Sequence, residues 1–360
     1  MDKGARSILP CILMLVIIVT VPMTTMPTNH DSSIVSGDIS NAIVKSQTTW
    51  SGVVELTESY TIDVSDELII APCTLVKLSS ASRIFVEGRL SIEGDLACPV
   101  IVDQVNSGLH YGIQFNQSSF GRGSTVENLS IENSMYGVTI YGSNPSLNNV
   151  TINNPSRVGI DLFSGANPII RDLTVDQSGR GFTYNDWRYG IGLSVGSSSS
   201  PIVERAVLTD MRIRGLNIWG DSGGIYRQIT IDNITAEGAS AISAGVWVED
   251  SRPLITNVSV DKSDYGILIR HIDDGGYTRA VVRDCLVTNS MYRGIYVDKA
   301  NHTNFTNYET ADFTNTVVRG TGGPNAKTAG IGFAAIDVNA TGVWFENTLI
   351  EDSTTTGLRL

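Results

Sequence analysis

The sequence predicts an all-β solenoid, a parallel β-helix in which short strands stack coil upon coil. Two strand patterns alternate from about residue 110 to the end of the chain. The first is a glycine followed by an apolar, a variable and an apolar residue, and its copies lie 21 to 36 residues apart. The second places a polar residue, usually Asn or Asp, before the same triplet. So many consecutive copies of a two-part pattern indicate structural repeats.

The glycine pattern predicts one strand in each repeat. Alternation of apolar and variable residues over four positions is typical of a strand whose side chains point to opposite faces. A unit this short cannot bury its apolar face alone, whereas stacked units bury a continuous core of Ile, Val and Leu. We expect the glycine to supply a backbone conformation that other residues avoid at the bend into the strand. The pattern begins at Gly112, Gly137, Gly159, Gly190, Gly215, Gly245, Gly266, Gly294, Gly330 and Gly357.

The polar residue of the second pattern predicts a repeated corner between strands. Asn and Asp bond to neighbouring backbone groups and tolerate the left-handed conformation. No stretch keeps a sustained periodicity of 3.6 residues, which disfavours leucine-rich repeats and βαβ units. The corner position holds Asn128, Asn149, Asp172, Asn257, Asp284 and Asn347, with Arg205 and Gln228 in two other copies.

The segments before the repeats add a likeness to a known superfamily. Residues 68–76, 84–90 and 94–102 look like the first coils of exported β-helix proteins. With the repeats, they resemble the right-handed parallel β-helix, or pectin-lyase-like, superfamily over about residues 50–360. The resemblance implies one single-stranded right-handed solenoid of about ten or more coils. It implies little about activity, because this fold carries many functions.

The two ends of the chain carry separate expectations. Lys3 and Arg6 precede an uncharged apolar run at residues 8–23, which predicts export and an extracellular or cell-surface location. A full membrane span needs about 20 apolar residues, so both a signal peptide and a retained anchor remain open. The sequence ends at Leu360 on a strand. We expect a partner, such as an end-to-end contact, or a longer reading frame to cover that open coil. The predicted segments are 1–30 signal or anchor, 31–49 linker or start of the N-terminal cap, and 50–360 β-helix.

Composition excludes several classes of function. The chain has 25 Lys and Arg against 37 Asp and Glu, a net charge of −12, so no nucleic-acid partner is expected. The absence of CxxC, HExxH and paired His at metal spacing disfavours a zinc or haem enzyme. No cofactor is expected, and calcium has only weak support from the isolated Asp161 and the pair Asp273–Asp274. The dispersed histidines His110, His271 and His302 are expected to be solvated.

Two cysteines predict a disulfide between neighbouring coils. Cys73 and Cys98 are 25 residues apart, about one coil, and each lies beside a proline. Equivalent positions of stacked coils are about 4.8 Å apart, which is within the Cα range that a disulfide needs. An exported protein permits the bond, and the alternative is two buried thiols. Cys285 occupies an apolar strand position and is expected in the core.

Eight Asn-x-Ser/Thr sequons occur in the chain. Those at Asn128, Asn149 and Asn257 belong to the corner pattern, so we interpret them as by-products of the repeat. The others lie in predicted loops or at strand ends and are better candidates for glycosylation. These candidates are Asn116, Asn233, Asn301, Asn304 and Asn339.

The outward positions of the glycine strands predict a ligand-binding ribbon. If the apolar residues point inward, the residues two and four places after each glycine point outward. Aromatic faces beside carboxylates and an arginine suit sugar rings, which stack and hydrogen-bond at once. A widened loop at 176–189 adds two candidates, because binding residues often lie on such loops. The candidates are Trp219, Trp247, Glu249, Arg270, Tyr296 and Asp298 on the ribbon, with Asp186 and Trp187 in the loop.

Three interpretations of this ribbon remain open. Glu249 and Asp298 are two coils apart, about 9.6 Å, near the upper limit for an inverting carboxylate pair. Arg270 lies between them and could bind a uronate or act as a base, as in a polysaccharide lyase or glycoside hydrolase. The simpler alternative is a surface salt-bridge ladder. The familiar catalytic sets of polygalacturonase-like relatives are absent, since no Gly-His-Gly occurs and no residue before a pattern glycine is acidic.

The leading prediction is therefore an exported, non-catalytic β-helix protein that binds glycan or a cell-envelope partner. The alternative is a lyase or hydrolase with an unfamiliar site at Glu249, Arg270 and Asp298. A third interpretation is a structural stalk or adhesin segment.

Overall fold

A computed structural model describes residues 45–179, 189–236, 242–272, 278–299, 310–322, 334–340, 342–354 and 356–360. Thirty strands and one turn of 3-10 helix (Gln117–Ser119) lie in these residues. None of the described segments forms a helix long and apolar enough to cross a membrane. The first strand begins at Ser46, inside the segment predicted as a linker or cap.

The strands are β1 Ser46–Trp50, β2 Val53–Leu56, β3 Tyr60–Ile62, β4 Asp66–Ile70, β5 Leu75–Leu78, β6 Ile84–Val86, β7 Arg89–Glu93, β8 Val100–Gln104, β9 Ile113–Phe115, β10 Thr125–Glu132, β11 Tyr136–Tyr141, β12 Ser146–Asn153, β13 Val158–Phe163, β14 Ile169–Asp176, β15 Ile191–Val195, β16 Ile202–Thr209, β17 Arg214–Trp219, β18 Ile225–Ile234, β19 Ala244–Glu249, β20 Leu254–Ser263, β21 Tyr265–His271, β22 Ala280–Arg283, β23 Leu286–Thr288, β24 Arg293–Lys299, β25 Ala311–Thr314, β26 Val317–Arg319, β27 Ala334–Asn339, β28 Val343–Glu346, β29 Leu349–Glu351 and β30 Thr356–Arg359.

The strands form two parallel sheets, and each coil contributes to both. Sheet B contains twelve described strands, one for each coil, and holds the glycine pattern. Sheet A contains eighteen described strands and holds the corner pattern. A long strand of sheet A such as β12 pairs in parallel with β10 of the coil before and β14 of the coil after. This is the stacking that the two alternating patterns predict, and the all-β parallel solenoid is confirmed.

The predicted corner residues adopt the left-handed conformation. Their φ angles lie between 49° and 57° at Asn128, Asn149, Asp172, Arg205, Gln228, Asn257, Asp284 and Asn347. Asn315, which was not predicted, has φ 50° and bonds to Asp284 in the same way. Their side chains bond from coil to coil: the amide of Asn149 donates to Asn128 Oδ1 at 2.6 Å. Where the corner residues are unlike, Arg205 donates two hydrogen bonds to Asp172, at 2.7 and 2.9 Å. At the position where the chain turns, the polar side chains of successive corners therefore bond to one another outside the core.

The core between the sheets is a continuous column of aliphatic side chains. Ile140, Leu162, Val195 and Ile218 pair in register on β11, β13, β15 and β17, and all are fully buried. Cys285 is 2% exposed, as expected of a core residue, and burial raises the pKa of its thiol to about 11. Because each coil covers the apolar side chains of its neighbours, burial is shared along the solenoid.

Two repeats have a different frame from the predicted one. On β15, Ser194 pairs with Asn217 of the next coil, so Gly192 and not Gly190 is the equivalent of Gly215. The run from 190 to 195 alternates in both frames, and a shift of two residues keeps the same side chains inward. Gly190 instead has φ +94 and forms the turn before the strand.

The second difference lies in the ninth copy. Ile336 pairs with Ile295 and Asp337 with Tyr296, so Ala335 takes the place of Gly294 and the strand lies beyond Gly330. Both the predicted run Gly-Ile-Gly-Phe and the observed run Ala-Ala-Ile-Asp-Val fit the alternation, which is why the sequence alone misplaced this coil. Gly330 is outside the described residues.

The predicted disulfide joins Cys73 and Cys98, whose Cα atoms are 4.8 Å apart. The backbone N–H of Cys73 also donates to the carbonyl of Cys98 at 3.1 Å. The bond therefore links two consecutive coils near the N-terminal end of the described solenoid, at residues that are already neighbours by hydrogen bonding.

Breaking this disulfide should destabilise the chain, because it closes a loop of 25 residues. We expect the Cys73→Ala, Cys98→Ala variant to lose about 3 kcal/mol of unfolding free energy, measured by urea denaturation. A reductant should lower the urea midpoint of the wild type and leave that of the variant unchanged. Equal midpoints for the wild type with and without reductant would contradict the prediction.

Candidate functional site

The outer face of sheet B carries three rows of side chains, each with one residue from every coil. The floor row holds the residue two places after the glycine, and the edge row holds the residue four places after it. The entry row holds the residue just before the glycine. Strand pairing places Thr139, Asp161, Ser194, Asn217, Trp247, Leu268, Tyr296 and Asp337 in the floor row. Neighbours within a row are about one strand spacing, 4.8 Å, apart.

The predicted ribbon residues come together on this face. Trp219, Glu249, Arg270 and Asp298 follow one another in the edge row, from β17 to β24. Arg270 Nε lies 3.7 Å from Glu249 Oε2, and their side chains are 30% and 27% exposed. Asp298 Oδ1 accepts a hydrogen bond from the amide of Asn339 at 3.1 Å. Glu249 and Arg270 thus form an ion pair, while Asp298 is engaged with the following coil.

Trp247 lies at the centre of this region, and charged side chains pack against its ring. Its side chain is 6% exposed, and the Arg214 guanidinium carbon lies 3.8 Å from the ring centroid. Arg270 lies 5.2 Å from the same ring, and the indole N–H donates to Glu249 Oε2 at 3.1 Å. Such cation–π contacts strengthen when they are desolvated. Trp247 therefore orients Glu249 and both arginines, and its own ring can stack on a sugar only if Arg214 moves.

The guanidinium group of Arg214 is buried and poorly solvated. Arg214 donates to Asn217 Oδ1 at 2.6 Å. Burial lowers its pKa to about 10, against the opposing attraction of Glu249. Beside Arg270, this gives the centre of the face two guanidinium groups for one carboxylate, within a chain whose net charge is −12.

A second charged cluster closes the C-terminal part of the face. Asp337 is 2% exposed and accepts from Arg293 Nε at 2.5 Å and from Arg359 Nε at 2.8 Å. Arg293 also donates to the hydroxyl of Tyr265 at 2.6 Å and lies 4.3 Å from the Tyr296 ring centroid. Burial, reinforced by the charge of Asp298, raises the pKa of Tyr296 to about 12. These groups satisfy one another, as a buried ion pair requires.

The sequence could not place this cluster because the ninth copy was assigned to the wrong frame. Asp337 falls in the floor row only once Ala335 is recognised in the position of a glycine. The other ligand candidates, Asp186 and Trp187, lie outside the described residues, as do Asp273 and Asp274.

The N-terminal part of the face was not predicted as a site. Here the floor row is small and polar, and the edge row holds Tyr141 and Phe163, whose ring centroids are 5.3 Å apart. Beside the floor, Arg157 donates to the hydroxyl of Tyr136 at 2.5 Å and lies 4.6 Å from the ring centroid of Tyr189. The signal that reveals this part is the aromatic residue at the fourth position of two consecutive glycine strands.

Asp161 is the carboxylate of that polar floor. Burial raises its pKa to about 6, although a hydrogen bond with Ser194 and the charge of Arg157 act in the opposite direction. The protonation of Asp161 therefore changes in the mildly acidic range.

The expectation that the histidines are solvated is wrong for the two that the structure describes. His110 is fully buried, its Nε2 lies 2.8 Å from the carbonyl of Glu132, and burial lowers its pKa. His271 is 8% exposed and its Nδ1 lies 2.8 Å from Asp250 Oδ1. A backbone carbonyl lies beside the imidazole of His110, and a carboxylate lies beside that of His271. His302 is outside the described residues.

Two further predictions concern metal and sugar attachment. In the described part of the chain, no three His, Cys, Asp or Glu side chains converge to hold a metal ion. The amide nitrogens of Asn116, Asn233 and Asn339 donate to the carboxylates of Glu87, Asp210 and Asp298. Asn301 and Asn304 lie outside the described residues. Glycosylation at these five sequons stays a prediction.

Comparison with known proteins agrees with this architecture. The family described as "Right handed beta helix region" matches residues 91–252. The chain is similar to the catalytic unit of a thermostable GH87 α-1,3-glucanase from Streptomyces thermodiastaticus strain HF3-3. The identity is 16%, the TM-score is 0.50, and 88% of this chain and 65% of that chain are covered. The fold is a right-handed parallel β-helix.

Two other solved structures are similar to this right-handed β-helix. A periplasmic alginate epimerase matches at 12% identity and a TM-score of 0.48, covering 83% of this chain and 76% of that chain. An alginate lyase from Paenibacillus sp. str. FPU-7 matches at 14% identity and a TM-score of 0.43, covering 85% and 97%. The chain spans 60% to 65% of the length of two of the matched GH87 glucanase structures. No curated protein sequence matches the chain.

The raised pKa of Asp161 predicts a pH dependence of stability. The folded chain holds this proton up to about pH 6, against a pKa of 3.8 for an ordinary Asp. Its contribution is therefore fully present below that ordinary pKa and is lost as the pH rises through 6. Between about pH 4 and pH 7, the unfolding free energy of the wild type should fall by about 1 to 3 kcal/mol relative to Asp161→Asn. Urea denaturation at each pH measures this difference.

Asp172 supplies a matched control with the opposite sign. A hydrogen bond from Arg205 lowers the pKa of Asp172. Its stabilising contribution is present above the unfolded pKa and is lost as the pH falls. A difference between the wild type and Asp161→Asn that did not change over this range would show that Asp161 titrates normally.

Proposed function

We propose that this chain binds a polysaccharide along the outer face of sheet B. The observation that carries the proposal is the edge row from β17 to β24, where Trp219, Glu249, Arg270 and Asp298 lie partly exposed on consecutive coils. One coil advances about 4.8 Å, a distance comparable to one sugar ring. The row therefore offers an aromatic face and charged hydrogen-bonding groups at the repeat of an extended glycan.

The charged groups of this row are already oriented. Glu249 accepts from the indole of Trp247 and pairs with Arg270, while Arg270 lies over the same indole. Groups held in place before binding lose less conformational freedom when the ligand arrives. The glucanase catalytic unit of the same fold is named for acting on a glycan, which agrees with a carbohydrate ligand and assigns no residue.

The arrangement favours binding without catalysis. Glu249 and Asp298 each accept a hydrogen bond from a protein side chain. A general acid or base must instead reach the substrate atom whose proton it transfers. We therefore propose a non-catalytic glycan-binding protein, working outside the cell or at its surface as the N-terminal segment predicts.

Removing Arg270 tests the proposed site. We expect Arg270→Ala to weaken polysaccharide binding by about tenfold, because a partly buried guanidinium contact contributes on the order of 1 to 2 kcal/mol. Affinity electrophoresis of the full chain in gels containing neutral or acidic polysaccharides measures the change. The matched control is Arg319→Ala on sheet A, which also breaks an arginine–glutamate pair, with Glu351 at 2.8 Å. Equal retardation of Arg270→Ala and the wild type would remove Arg270 from the site.

A polysaccharide lyase or glycoside hydrolase remains the alternative function. Its support is the placement of Glu249 and Asp298 on strands separated by one strand that carries Arg270. This corresponds to about 9.6 Å along the sheet, near the upper end of inverting carboxylate separations.

Counting new chain ends separates the two functions. The full chain is incubated with neutral and acidic polysaccharides, with and without calcium, and we expect no new ends because both carboxylates are engaged within the protein. New ends on one polymer that disappear in Glu249→Gln or Asp298→Asn would make the chain an enzyme. A chain that neither cleaves nor binds any polysaccharide would favour a structural stalk or adhesin segment.

A further inference from the structure

We infer that the proposed glycan site continues over the coils before Trp247, where Tyr141, Phe163 and Trp219 form an aromatic platform for uncharged sugar rings. This inference rests on the proposed function and names the part of the ligand that this half of the face would hold. The platform belongs to the edge row of β11, β13 and β17.

The first two rings of the platform touch. Tyr141 pairs in register with Phe163, and their ring centroids are 5.3 Å apart at an interplanar angle of 77°. Tyr141 is 41% exposed. The edge-to-face arrangement is a favourable one for aromatic pairs, and it leaves part of both rings open to solvent.

A glycine allows the third ring to join the platform. Gly196 follows Phe163 in the edge row, and the indole of Trp219 lies directly over it. A Cβ atom at Gly196 would be 2.2 Å from Trp219 Cε2 and 2.6 Å from Nε1. The missing side chain therefore lets the indole lie back across the preceding coil towards Phe163, with Nε1 3.5 Å from Ser194 Oγ. The three rings then span four coils.

Polar groups line the platform on its inner side. The floor row here holds Thr139, Asp161, Ser194 and Asn217. Asn217 is fully buried, and its amide nitrogen finds no acceptor among the described residues. A sugar hydroxyl at this end of the row would supply one.

This mixture of groups identifies the occupant as a glycan. Sugar rings present apolar C–H faces to aromatic rings and hydroxyls to neighbouring polar side chains. An apolar peptide or lipid would leave the buried amide of Asn217 without an acceptor, which costs free energy.

The floor row also shows where the platform ends. Beyond Asn217 it changes to Trp247, Leu268 and Tyr296, which fill the space above the strands. In the same coils the edge row changes from aromatic to charged. A chain lying along the solenoid axis would therefore place uncharged rings over Tyr141 to Trp219 and its polar or charged substituents near Arg270.

Glucose oligomers of increasing length are the probe for this inference. Titration calorimetry on the full chain should show affinity rising with each added sugar until the platform is covered. Phe163→Leu keeps apolar volume but removes the ring, and Gly196→Ala displaces the indole of Trp219. Each should weaken binding of the longer oligomers by about threefold to tenfold and reduce the gain per sugar. Trp344→Leu removes an exposed ring from β28 of sheet A, away from the platform, and should bind as the wild type does.

The outcomes separate this inference from the proposed function. Circular dichroism checks that each variant is folded, and Phe163→Leu alone suffices should Gly196→Ala fail to fold. If the wild type binds glucose oligomers and Phe163→Leu binds them equally well, the platform is overturned and the polysaccharide site stands. The platform is also overturned, and the polysaccharide site stands, if only acidic polysaccharides bind and their binding depends on Arg270. If no neutral or acidic polysaccharide binds, both proposals fail.

Discussion

Backbone hydrogen bonding between successive coils is the constraint on which this structure depends. Each strand residue of a coil must meet its equivalent in the next coil at the strand spacing of about 4.8 Å. That requirement is strictest at the corners, where the chain turns in the left-handed conformation at the same position of each coil. Asn149 and Asn128 show the solution, since the side chain of one satisfies the side chain of the other. A repeated corner of this kind keeps the coils in register and leaves the outward rows free to vary.

The same constraint stacks outward side chains whether or not they are compatible. Identical charges on neighbouring coils would repel, and arginines beside sheet B lie against aromatic rings or carboxylates. Arg157 lies against Tyr136 and Tyr189, and Arg293 lies against Tyr265, Tyr296 and Asp337. Cation–π contacts gain strength as water is excluded, which explains how Arg293 can be only 7% exposed.

The sequence was sufficient for those features that depend on the repeat. Alternation predicted the parallel coils, the polar residues predicted the left-handed corners, and the spacing of Cys73 and Cys98 predicted their disulfide. It was insufficient wherever two frames alternate equally well. Gly190 and Gly192 both open an apolar–variable–apolar run, and only the pairing of β15 with β17 distinguishes them.

The sequence also did not predict how deeply a side chain on this face is buried or how its pKa is shifted. Position in a row predicted that Trp247 points outward, and it does so. Its burial depends on Arg214, which lies in the preceding coil, three positions before Asn217, the residue that pairs with Trp247. Neither repeat alone contains a signal for this contact. The raised pKa of Asp161 has the same origin, because it arises from how completely neighbouring coils cover the carboxyl. Such properties belong to groups of coils and not to any one copy.

This dependence on neighbours has a consequence for how a binding face can arise on a solenoid. A substitution in one coil alters mainly the coils above and below it, because each unit contacts only its neighbours. Gly196 illustrates the range of that influence: it has no side chain, yet its absence of a Cβ determines where the indole of Trp219 lies. Trp247 shows the opposite case, since its large side chain draws Arg214 and Arg270 over itself and fills the floor. Size in the floor row and glycine in the edge row therefore determine where the face is open and where it is filled, while the core beneath remains the same aliphatic column.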